Sequence, residues 1–136
     1  MQLSITQHCL FFSLFLCPLA FSGNDVWPYP DSLDAVNAAP DSHEILLEND
    51  KVRVLRVVIE PGSKEPFHTH RSGSVMIVDK PAQINYYGEE GDLLFFTKPT
   101  DGKHHQMPQW LDPEVLHSVE NIDDKVYKAY RIEIKE

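Results

Sequence analysis

Cysteine is almost missing from this sequence: 136 residues contain 2, Cys9 and Cys17, both in the first stretch. Basic residues are also few, 12 Lys and Arg against 21 Asp and Glu, giving a formal net charge of −9 at pH 7. Neutralising phosphates requires clustered Lys and Arg, so a nucleic-acid partner is excluded, and anionic lipid finds no basic surface. No window carries a helical apolar stripe over three turns, which excludes a helical bundle and an α/β fold. Gly-x-Ser-x-Gly, a phosphate loop and Cys-x-x-Cys are all absent, leaving no basis for a serine hydrolase, a nucleotide enzyme or a thiol redox protein.

The one long apolar run extends from Leu10 to Phe21, interrupted by Ser13 and Pro18, and closes on Ala20-Phe21-Ser22. Small-x-small after an apolar segment reads as a secretory signal over residues 1–22, although no Lys or Arg precedes it. The run is shorter than the ~20 residues that span a bilayer. On this reading the protein is secreted or periplasmic, with no stable membrane insertion after cleavage. The mature chain from Gly23 then has no cysteine, hence no disulfide and no thiol nucleophile or ligand.

Residues 23–43 are rich in Pro, Asp, Asn and Ala and read as an extended arm, with a helical turn near Ser32 to Asn37 that Ser32 would cap. From residue 44 the texture changes to short β-branched and aromatic runs separated by turn residues. "HEILLEND" and "KVRVLRVVIE" read as strands joined at Asn49-Asp50, and Pro61-Gly62 ends the second. Further strands follow near 66–70, 74–79, 82–87, 92–97, 104–110, 115–120 and 125–134, with turn signals between them. About nine short strands predict an all-β sandwich or barrel, a single domain over residues 44–136. In the last strand Val126, Tyr130, Ile132 and Ile134 form the apparent core face, opposite Tyr127, Ala129, Arg131 and Glu133.

"EPFHTHRSGSVMIV" puts His68 and His70 on one strand face, roughly 6.6 Å apart at about 3.3 Å per residue, a spacing one metal ion can bridge. A third histidine, His117, follows after 46 intervening residues, with Asn121 four positions on. Gly62, five residues, His68-x-His70, and later His117-x3-Asn121 resemble the two motifs of the cupin superfamily, and the likeness runs from about Glu48 to Lys135. It is that of a small single-domain cupin. The carboxylate of the first motif would fall at Ser74 or Val75, and Glu114 stands where the second motif has Gly.

The resemblance implies a jelly-roll β-barrel holding one divalent transition metal on His68, His70 and His117. Three neutral imidazoles leave such an ion its full +2 charge, which favours anionic or chelating ligands. Imidazole suits Zn, Cu, Fe and Ni alike, and Mn also stands open. Ser74, Gln83 or a water can take a further position. The implied function is a metal-dependent, dioxygenase-like oxidoreductase acting on a small chelating substrate. The alternative is a non-catalytic module that holds a small ligand or metal. A homodimer is compatible with the resemblance.

The remaining candidates read as structural. His43 precedes the first clear strand and reads as exposed, and His104 and His105 read as loop-edge residues. Tyr86, Tyr87, Phe95, Phe96 and Trp110 read as core, with Tyr86 or Tyr87 able to line a pocket. Arg53 and Arg131 read as a solvated face, although an inward arginine can clamp a carboxylate. The strands at 74–79 and 92–97 are expected to wall the site from water, and Asn121 to tie the turn after His117.

Overall fold

The computed structural model describes residues 26–99 and 107–136. The signal reading of residues 1–22 and the residues His104 and His105 lie outside them. Nine strands follow a short helical segment: β1 (His43–Glu48), β2 (Val52–Ile59), β3 (His68–His70), β4 (Ser74–Lys80), β5 (Ile84–Tyr87), β6 (Leu93–Thr97), β7 (Gln109–Leu111), β8 (Glu114–Asn121) and β9 (Tyr127–Ile134). They form a five-stranded sheet, β1-β2-β9-β4-β7, and a four-stranded sheet, β3-β8-β5-β6. The two sheets enclose one interior, whose cavity takes lining residues from all nine strands. This is the all-β architecture that the strand spacing predicts, in the jelly-roll form that the family resemblance implies. Among the described residues no helix is long and apolar enough to cross a membrane.

Turn chemistry sets the boundaries. The Asn49 side chain accepts from the backbone N–H of Lys51 (2.8 Å) and Val52 (2.9 Å), closing the β1–β2 connection. Gly62 takes a positive φ of 72° after Pro61, a conformation open to glycine without strain. Past that turn the chain is zipped to β8: Gly62 N–H donates to Asn121 O (2.8 Å) and Glu65 N–H to Val119 O (2.8 Å). Asn121 ties this corner, its amide donating to Ile59 O and Lys125 O while its Oδ1 accepts from Asp123 N–H. The zipper delivers β3 against β8 with His68 directly opposite His117.

The helical turn near residue 32 divides in two, a 3₁₀ turn at Asp31–Leu33 and a helix α1 at Ala35–Ala38. Its cap is Asp34, not Ser32: the Asp34 carboxylate accepts from Val36 N–H at 3.1 Å. This segment packs on the barrel, with Ala35 and Ala39 buried and Thr69 Oγ1 donating to Leu33 O.

Leu55, Val57, Ile59, Ala82, Ile84, Val119, Tyr127 and Ala129 form the core. Each large aliphatic side chain buried there contributes about 1.5–3 kcal/mol. The faces of β9 are the reverse of those its apolar content suggests: Tyr127, Ala129, Arg131 and Glu133 point inward, and Tyr130, Ile132 and Ile134 point outward. The charged face can be internal because its members pair there, whereas the outer apolar residues shield one another. Ile132, for example, lies between Val54 and Val75. The aromatic core expectation also fails in part, since Phe95, Phe96 and Trp110 are exposed. Strand β6 is exposed at every position, so it does not bury a wall as β4 partly does.

Candidate metal centre

His68, His70 and His117 are all buried, at 1, 2 and 3 % exposure. Their ring centroids lie 4.4 Å (His68–His117), 5.3 Å (His68–His70) and 5.7 Å (His70–His117) apart. A metal–nitrogen bond of about 2.0–2.1 Å puts each ring centre roughly 3.2 Å from the ion, so ligands at about 90–120° have centres roughly 4.5–5.6 Å apart. The observed centroid separations are of this order. Among the described residues, two sets bring their donor atoms within 4.8 Å of one another, His43 with His68 and His70, and Glu114 with His70 and His117, and the motif trio is not itself such a set. The three motif histidines straddle the two sets.

The hydrogen bonds of these rings fix their tautomers. His68 Nδ1 lies 2.8 Å from Pro66 O and His117 Nδ1 2.7 Å from Val115 O, each the carbonyl two residues back on its own chain. His70 Nδ1 lies 2.8 Å from Glu133 Oε1 on β9. Carbonyl and carboxylate oxygens only accept, so each Nδ1 carries the proton and each Nε2 keeps its lone pair. Such outer partners orient metal-binding histidines and raise their basicity. Burial, reinforced by His117, pulls His68 down to about 3. Burial lowers His117 and, with Arg131 nearby, holds His70 well below its usual value. The rings are therefore neutral at pH 7, the form in which imidazole binds metal.

The structure corrects two expectations about this region. His43 is not exposed: it opens β1 at 5 % exposure, with its ring 4.8 Å from His68 and 5.3 Å from His70. Burial, together with His68, lowers it to about 3. The register explains its direction, since it stands opposite Val57, whose side chain also faces inward. Arg53 and Arg131 are not a solvated face either. Arg131, 3 % exposed, lines the cavity and donates from Nη1 to Glu114 Oε2. Arg53 grips both oxygens of Asp34 (2.9 and 2.8 Å) and donates from Nε to Glu133 Oε2 (2.5 Å).

Glu114 reaches the site through an irregularity. His68 pairs with His117 and His70 with Glu114, so two steps on β3 match three on β8. That bulge turns Glu114 to the same side as His117 despite their odd spacing. Tyr86 hydroxyl donates to Glu114 Oε1 at 3.0 Å, and its ring stacks on His117 at 4.8 Å and 8°. Glu65 is buried beside His43, and burial raises it to about 7. At the expected carboxylate position Ser74 is fully buried, and its hydroxyl has no partner among the described residues. Gln83 does not line the cavity; its backbone N–H donates to Asp123 Oδ2 (2.9 Å).

No protein-family sequence profile matches the chain. No curated protein matches it either. Solved structures do. A cupin domain from Bordetella pertussis Tohama I superposes with a TM-score of 0.59 at 21 % identity, covering 69 % of this chain and 92 % of its own. An RmlC-like cupin family protein with a double-stranded β-helix fold from Methanocaldococcus jannaschii gives 0.51 at 16 %, covering 68 and 78 %. A Bacillus halodurans protein gives 0.51 at 18 %, covering 74 and 73 %. The chain has the cupin fold.

Proposed function

We propose that this protein binds one divalent transition metal through His68, His70 and His117 and acts as a metal-dependent oxidoreductase on a small anionic, chelating substrate held beside it. The observation that carries the reading is the common state of the three rings: buried, neutral, each Nδ1 committed to an acceptor and each Nε2 without a hydrogen bond among the described residues. Charge supports it as well. Asp34, Glu114 and Glu133 face only Arg53 and Arg131 in the buried pairs, an excess of negative charge that a cation among neutral donors offsets.

A bound ion would polarise substrate oxygens as a Lewis acid and support dioxygen chemistry. The chain's own residues supply the rest. Arg131 is buried with Nε and Nη2 unpartnered among the described residues, so its guanidinium can receive a substrate oxyanion. Glu65, raised to about 7, can take or return a proton at its unpartnered Oε1. Val57, Ile59, Ile84 and Val119 give the cavity, roughly 380 Å³, an apolar floor.

Metal analysis of protein purified without a histidine tag, wild type beside His68→Ala, tests the centre: one ion per chain, lost in the variant, is expected. Oxygen uptake by the Fe(II)-loaded protein over thiols, diketones and phenols then tests the chemistry. A stoichiometric ion with no uptake favours the second reading, a ligand-binding module. A wild type without metal overturns the first reading and leaves only a module for a metal-free ligand.

A further inference from the structure

We propose that His43 is a fourth imidazole ligand of the metal, filling the role left by the carboxylate that the first motif lacks. The proposal deepens the metal-binding reading above and rests on it. His43 comes from β1, in the other sheet from His68, His70 and His117, and belongs to neither motif. Its ring centroid lies 4.8 Å from His68 and 5.3 Å from His70, inside the 4.4–5.7 Å range of the motif histidines themselves. Its donor atom converges with those of His68 and His70 within 4.8 Å.

Its tautomer is set in the same way. His43 Nδ1 lies 3.2 Å from Ala39 O, which only accepts, with Ser42 Oγ at 3.2 Å and Glu65 Oε1 at 3.6 Å on the same nitrogen. With Ala39 O accepting from Nδ1, Nε2 retains its lone pair. That lone pair is available to a cation shared with His68 and His70. A neutral fourth donor also suits the site electrostatically. Unlike a carboxylate at Ser74, it leaves the ion its whole positive charge to set against Asp34, Glu114 and Glu133. Four imidazoles still leave coordination positions for substrate on a six-coordinate ion.

Cu(II) serves as the probe. Full-length protein without a tag is stripped of metal, loaded with one equivalent of Cu(II), and studied by continuous-wave and pulsed paramagnetic resonance. Four coordinated imidazole nitrogens are expected, and three would overturn the proposal. In competition with a chelator, His43→Ala should weaken Cu(II) binding by at least about tenfold to a hundredfold, the loss that even an outer partner of a metal ligand brings. Unchanged affinity in a folded His43→Ala protein overturns this proposal alone and leaves the motif histidines as ligands. If wild type takes up no stoichiometric Cu(II), the underlying metal site falls with it. Should His43→Ala fail to fold, the nitrogen count on wild type decides by itself.

Discussion

Along β2 and β9 the inward residues change character from one end of the barrel to the other. Ile59 stands opposite Tyr127 and Val57 opposite Ala129, but Leu55 faces Arg131 and Arg53 faces Glu133. Strand β8 follows the same gradient, from Val119 to His117 and Glu114. The same two sheets therefore build an apolar end and a polar end with four imidazoles, two guanidiniums and several carboxylates. The apolar end carries the hydrophobic stabilisation that lets the polar end hold groups whose burial is unfavourable. Damage to the first should register in stability, and damage to the second in pH response and metal affinity.

Acidification should separate the two ends most strongly. His43 and His68 fall from 6.5 to about 3 on folding, so below pH 6.5 the unfolded chain takes up protons that the native state refuses. Their contribution is whole above pH 6.5 and drains by about 1.4 kcal/mol per pH unit per ring as the pH falls towards 3. Glu65, raised from 4.5 to about 7, works in the opposite sense: its contribution is whole below pH 4.5 and is lost as the pH rises through 7. The rings outnumber it. Urea titrations of metal-free protein should show a midpoint that drops steadily from pH 7 to pH 4, and a flat profile would show that the rings are not neutral in the native state.

At the apolar end, Ile59→Ala should cost about 2–5 kcal/mol by leaving a cavity, measured by urea unfolding, with Cu(II) affinity unchanged. Loss of affinity there would mean the two ends are not separable. Glu133→Gln acts on the polar end. It should cost about 1–3 kcal/mol because Arg53 keeps Asp34 but loses its second carboxylate. Metal affinity should weaken about tenfold to a hundredfold as the acceptor of His70 Nδ1 changes, followed by chelator competition. Phe96→Ser, on the exposed edge strand β6, should shift stability by no more than about 0.5 kcal/mol, and a larger loss would reveal a covered surface.

Much of the strand plan could be read directly. Alternating β-branched runs and the Asn49 and Pro61-Gly62 turns mark most strand ends within a residue or two, because local chemistry decides them. His68, His70 and His117 could be found because their spacing follows two motifs. Three features could not be read in this way. His43 begins a strand whose next positions, Ile45 to Leu47, are exposed around a bulge, so no alternation marks its face. Glu114 reaches the interior only through the β3–β8 irregularity, which an even two-residue period does not anticipate. The direction of β9 depends on charge pairs between distant strands, Arg131 with Glu114 and Arg53 with Glu133, and hydropathy alone assigns those residues to water.

The short segment ahead of β1 is wired into this chemistry. Asp34 holds Arg53, Arg53 holds Glu133, and Glu133 orients His70, while the carbonyl of Ala39 orients His43. On the proposed metal binding, docking of that segment and occupancy of the centre would be thermodynamically linked, each raising the equilibrium constant of the other by the same factor. Protease cleavage around residues 28–33 should accordingly slow when the centre is filled, giving a readout of binding at a place the ligand never touches.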